Sequence, residues 1–139
     1  MKATGLCLAV LLAPALAWAQ PGGSAADKRE TVTPQFRHDL PNAPGKALIA
    51  VTVDYSPGGK SQPHTHAKSA FIYAYVVSGA IRSQVDNEPA KIYRAGEGFF
   101  EMPGAHHRIS ENASDSEPAR LLAVFVVDPA ETLTIPDPR

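Results

Sequence analysis

From Lys46 onward the apolar positions fall into short runs, separated at regular intervals by glycine, proline and small polar residues. Ala47 to Tyr55 is rich in Val, Ile and Leu and ends at Ser56-Pro57-Gly58-Gly59. Phe71 to Val77 is a β-branched and aromatic run broken by Ser78-Gly79, and Ala80 to Val85 leads into the turn Asp86-Asn87-Glu88-Pro89. Lys91 to Arg94 is short and stops at Ala95-Gly96-Glu97-Gly98. Gly98 to Met102 and His106 to Ser110 flank Pro103-Gly104, and Arg120 to Val127 is nearly all apolar. No helical period is sustained between Lys46 and Asp128. Short strands at this spacing, punctuated by Gly/Pro turns, predict an all-β antiparallel sandwich or barrel. The almost unbroken apolar runs at 71–77 and 121–127 predict central strands covered on both faces.

The start of the chain follows a different pattern. Met1-Lys2 is a short positive segment, Leu6 to Leu16 is apolar apart from Pro14, and Ala17-Trp18-Ala19 precedes Gln20. This is the layout of a secretory signal peptide, too short and wrongly flanked for a transmembrane span. The expected division is 1–19 signal peptide, 20–45 flexible tether and extended arm, 46–128 barrel and 129–139 tail. The tether assignment rests on the Gly/Ala/Ser-rich polar stretch from Gln20 to Thr33. The expected location is exported, periplasmic or secreted.

Cleavage before Gln20 removes Cys7, the single cysteine, so the mature chain has no disulfide and no thiol nucleophile. Removal of Lys2 leaves 12 basic against 14 acidic residues, a net charge of −2, with both signs interspersed. No basic stripe suited to nucleic acid is present, and no further run is long enough for a membrane span. Asn112-Ala113-Ser114 matches a glycosylation sequon, but its polar surroundings read as loop composition.

The chemistry concentrates in His64-Thr65-His66. Residues i and i+2 of a strand face the same way, with Cα atoms about 6.5 Å apart. Neutral imidazole is the commonest metal-ligand side chain, so the pair is a candidate metal site. A second suggestive segment is Gly98-Phe99-Phe100-Glu101, an acid inside an aromatic strand. An inward Glu101 needs a metal, a histidine or a donor beside it. It is a candidate ligand, a partner to an imidazole N–H, or a general base; the alternative is a solvent-facing residue paired with arginine. Phe71, Tyr73, Tyr75 and Val77 share one face, which makes Tyr75, or Tyr73, a candidate pocket hydroxyl; ordinary packing is the alternative. Gln62 and Gln84 are weaker pocket candidates. Arg82, Arg108 and His38 read as surface residues.

Gly58 is followed by five residues, His64-Thr65-His66 and then Gly79. Gly96 is followed by five residues, Met102-Pro103-Gly104, two residues and His107, with Asn112 beyond. These segments, in this order, resemble the two motifs of the cupins, small jelly-roll barrels also called double-stranded β-helices. The resemblance spans about residues 46–128. It implies a third ligand, His107, from the strand pair facing His64 and His66; a shift of register would exchange His107 for His106. It also implies a glutamate at Ala70, Phe71 or Ile72, where this chain is apolar, and places Asn112 one position late. The implied protein binds a divalent metal (Zn, Fe, Cu, Ni or Mn) and takes a small organic molecule. Catalysis would be of dioxygenase, isomerase or decarboxylase-like type, with Glu101 or Tyr75 moving protons. The alternatives are a non-catalytic ligand-binding or sensing barrel and a structural module without metal. A homodimer is expected, as in many cupins.

Overall fold

The computed structural model describes residues 30–138. The signal peptide, the first part of the tether and Arg139 lie outside the described residues. Ten strands form: β1 Glu30–Asp39, β2 Ala47–Tyr55, β3 His64–His66, β4 Phe71–Ser78, β5 Ala80–Val85, β6 Lys91–Arg94, β7 Gly98–Glu101, β8 His106–Asn112, β9 Ala119–Val127 and β10 Thr134–Pro136. They make two antiparallel five-stranded sheets, ordered β1-β2-β9-β4-β7 and β10-β3-β8-β5-β6. The all-β jelly-roll expectation holds, and the strand boundaries read from the alternation agree closely with those observed.

The two sheets have unlike inner faces. In the first, strict alternation turns Ile49, Val51 and Val53 of β2, Ile72, Ala74 and Val76 of β4, and Leu121, Ala123 and Phe125 of β9 inward. In the second, the buried inward positions include His66, Ser83, His107, Ser110 and Asn112. The interior is therefore an apolar wall facing a polar one.

A β-bulge shapes the polar wall. Gln84 pairs with Ile109 and Val85 with His107, which leaves Arg108 as the extra residue on β8. A bulge reverses the facing of everything beyond it. His107 and Ser110, at opposite parity in sequence, consequently both point inward. The same extra residue explains why Asn112 arrives one position late and is still buried. Its side chain bonds to Ser56 O, Glu117 O and Ser114 N and ties the β8–β9 loop to the β2–β3 turn.

Three expectations are corrected. The arm is a strand from Glu30 onward, pairing with β2 along its length, so residues 30–33 are not tether. The tail carries β10, which pairs with β3 at Thr134–His66 and Pro136–His64; three residues next to prolines show no readable alternation. The apolar runs are central strands, but β4 is covered on one face only. Phe71, Tyr73, Tyr75 and Val77 are 43%, 48%, 36% and 47% exposed.

Gly79 closes the β4–β5 turn at φ +71°, and a Cβ there would lie 2.6 Å from Pro118 O and 2.8 Å from Ala119 Cβ. Gly45 has φ +79° with nothing within 4 Å. Gly79→Ala is expected to cost about 2–4 kcal/mol in urea unfolding, because strain and overpacking combine. Gly45→Ala, carrying backbone strain alone, is expected to cost about 1 kcal/mol. Equal losses would contradict the clash.

Candidate metal centre

The centre forms where β3, β8 and β7 meet inside the barrel. His64 and His66 share one face of β3, and His64 pairs directly with His107 on β8. His107 therefore comes from the adjacent strand of the same sheet, not from a facing pair. One nitrogen from each of His64, His66 and His107 lies within 4.8 Å of the others. His106 points outward and meets Asp137 Oδ2 through Nε2 at 2.8 Å.

Glu101 reaches the cluster from the opposite sheet and is 3% exposed. Its Oε2 lies 3.1 Å from His66 Nε2 and its Oε1 lies 3.3 Å from His107 Nδ1. On β7, Glu101 sits directly across from Ile72 of β4. Ile72 is one of the positions to which the cupin resemblance assigns a glutamate. The carboxylate thus enters the same volume from the neighbouring strand.

Backbone carbonyls fix the histidine tautomers. His64 Nδ1 lies 2.8 Å from Gln62 O and His66 Nδ1 lies 3.1 Å from Leu133 O. A carbonyl can only accept, so each Nδ1 carries the hydrogen and each neutral ring presents a bare Nε2. His107 Nε2 bonds to Ser83 Oγ at 2.9 Å, which leaves Nδ1 toward the cluster. Such outer partners orient metal-bound imidazoles.

His66 Nε2 and Glu101 Oε2 face each other without a well-directed hydrogen bond to either atom. Two electron-rich buried atoms 3.1 Å apart repel unless positive charge lies near them. A proton or a metal cation would serve. Three neutral nitrogens and one carboxylate form a donor set that suits a divalent transition metal, so these residues fit one.

Burial holds the His64 ring at about 4, assisted by the positive potential of His66 and His107 and opposed by its Gln62 bond. Burial alone would push Glu101 up, but contact with His107, and with His66 when that ring carries a proton, outweighs this and holds the carboxyl at about 2. Both groups are thus kept in the form a cation requires.

A cavity of about 220 Å³ opens beside the cluster, lined by all three histidines, Glu101 and Gln62. Tyr75 and Tyr73 do not reach it. They occupy the outward face of β4, because inward facing falls to Ile72, Ala74 and Val76. The tyrosine in the cavity is Tyr55, at the inward-facing end of β2, accompanied by Ser61 and Ser110. Parity alone marks Tyr55, whereas the bulge conceals Ser110. Gln84 bonds Glu88 O at the surface, Arg82 pairs with Glu111, Arg108 reaches Asn87, and His38 is exposed.

A family model described as a cupin domain matches residues 51–125. No curated protein sequence matches significantly. Among solved structures, an oxalate oxidase in complex with the substrate analogue glycolate is similar at TM-score 0.61 and 21% identity, covering 84% of this chain and 59% of that one. This chain therefore spans less than two thirds of that enzyme. An uncharacterised double-stranded β-helix protein from Klebsiella pneumoniae aligns at TM-score 0.63 and 16% identity, covering 88% of this chain and 92% of that one. The cupin domain of an XRE-family transcriptional regulator from Enterobacter cloacae aligns at TM-score 0.57 and 18% identity, covering 70% and 95%.

The depressed His64 and Glu101 values carry a sign for stability. In the metal-free protein the unfolded chain binds the His64 proton between pH 6.5 and about 4 while the folded chain does not. Stability is therefore expected to fall as pH drops through that window. Glu101 extends the loss from pH 4.5 toward about 2. Urea midpoints from pH 7 to 4 should decline less steeply in His64→Gln. An identical slope in the variant would contradict a buried, neutral His64.

Proposed function

The chain belongs to the cupin family, and on that footing we propose that it binds one divalent metal through His64, His66 and His107 and acts on a small organic molecule in the barrel. The supporting observation is the facing pair of buried atoms, His66 Nε2 and Glu101 Oε2, which calls for a cation between histidines and carboxylate. A bound metal would supply Lewis acidity toward a substrate oxygen and, if redox-active, electron transfer. A metal held by three histidines would have positions left for water or a substrate.

Glu101 supplies the carboxylate that the cupin motif places on β4. It is held ionised beside the imidazoles, so it can complete the ligand set or accept a proton from a substrate at the same centre. The apolar wall of Ile72, Leu121 and Phe125 excludes water from the opposite side and strengthens every charge interaction within. This environment supports dioxygenase- or isomerase-type chemistry. Capture or sensing of a ligand without turnover is the second reading, favoured by the apolar residues at the family's usual glutamate positions.

We also propose export, on the Met1–Ala19 pattern, and a homodimer. The dimer reading rests on the outer face of the first sheet, where Phe71, Tyr73, Phe100 and Met102 are exposed. Faces of this kind commonly mark interaction surfaces.

Purified protein is expected to carry one metal per chain by elemental analysis. His64→Ala and His107→Ala should each weaken metal binding by roughly 100-fold or more, whereas His38→Ala should leave it unchanged. Absence of metal, with no thermal shift on adding Zn, Fe, Mn, Ni or Cu, would sink the reading. Metal binding without turnover of any oxidisable or isomerisable small molecule would favour the sensing barrel.

A further inference from the structure

The cavity has a second polar end, away from the histidines. Tyr55 Oη lies 2.7 Å from Ser61 Oγ and 2.8 Å from Ser110 Oγ, and Ser61 donates to the Glu30 carboxylate. Each hydroxyl has one hydrogen, which fixes the direction of this chain. Ser61 gives its hydrogen to Glu30, so Tyr55 gives its own to Ser61 and Ser110 gives its own to Tyr55. Burial pushes the Tyr55 phenol up to about 12, against the pull of Ser110 and Ser61, so it remains a hydroxyl. Every hydroxyl hydrogen of this end is committed. What it offers a ligand is lone pairs, backed by a carboxylate.

The rest of the lining sharpens the point. Among the described residues, no Lys or Arg lines the cavity, whereas Glu30 and Glu101 both do. The neutral donors Gln62 and Thr134 sit near the histidines, Thr134 being paired with His66. Ser61 and Ser110 each lie three residues along the strand direction from the paired His64 and His107. Three residues of regular strand span roughly 10 Å, an upper bound here because of the Arg108 bulge and the loop position of Ser61. Val51, Val53 and Leu121 line the space on the apolar side.

We infer that the barrel selects an elongated small molecule that meets the histidine centre with one end and presents a hydrogen-bond donor, preferably an ammonium group, to Glu30, Ser61 and Tyr55 with the other. A second carboxylate at that end is rejected, because it would meet a carboxylate and bare lone pairs with no cation to offset it. Dicarboxylates long enough to reach that end are therefore poor ligands. The inference rests on the metal reading above and deepens it to a substrate class.

The test uses cobalt-loaded full-length protein and hydroxamates sharing one metal-binding head: 6-aminohexanohydroxamate, heptanohydroxamate and the monohydroxamate of adipic acid. Affinities come from the cobalt visible bands, each normalised to acetohydroxamate on the same protein. The expected order is ammonium, then methyl, then carboxylate tail, with roughly tenfold or more between the extremes. Glu30→Gln should bring that ratio close to unity, Ser61→Ala should reduce it, and His38→Ala should leave it unchanged. Equal tails, a carboxylate preference, or a ratio that survives Glu30→Gln would overturn the ligand class while leaving the metal reading intact. Failure to bind cobalt would overturn both.

Discussion

One electrostatic constraint organises this barrel: a carboxylate and two imidazoles are buried together, with a third, half-buried imidazole beside them. Glu101 and His66 present electron-rich atoms to each other at 3.1 Å, both out of contact with solvent. An isolated buried carboxylate is costly, and so is a like-signed pair of lone pairs. The cluster is tenable because positive charge can be shared among its members. The surrounding structure holds the rings in the form that accepts a cation instead of leaving the choice open.

That preparation is distributed over elements distant in sequence. β10 pairs with β3, and Leu133 O fixes the His66 ring. Ser83 of β5 fixes His107, and Gln62 O fixes His64. The bulge at Arg108 turns Ser110 onto the same wall as His107. The first sheet contributes an apolar wall with Glu101 of β7 at the histidine end and Glu30 of β1 with Tyr55 of β2 at the other. The same division sets up the cavity, with the three histidines and Glu101 at one end, acceptors at the other, and hydrocarbon along one side.

The fold was legible because alternation along β2, β4 and β9 is regular and the turns are marked by Gly58, Gly79, Gly96 and Gly104. The histidine cluster was legible because His64 and His66 share parity on one strand and the two cupin segments follow in order. The role of Glu101 was only half visible. Its strand context announced a buried acid, but its position across from Ile72 is a cross-strand relation that linear spacing does not carry. Tyr75 misled because an apolar run has two faces, and the aromatic one faced outward. Tyr55, Ser61 and Ser110 were missed for different reasons: a strand end, a loop, and a bulge that inverts parity. β1 and β10 were hidden by prolines and short length, since an edge strand needs little pattern of its own.

The most direct measurement is crystallographic: an anomalous difference map from purified protein, collected at the absorption edge of whichever metal elemental analysis finds. One peak is expected, with nitrogens of His64, His66 and His107 at about 2.0–2.2 Å and Glu101 in or next to the coordination sphere. A barrel without any peak, in which His66 and Glu101 close on each other through a proton alone, would contradict this expectation.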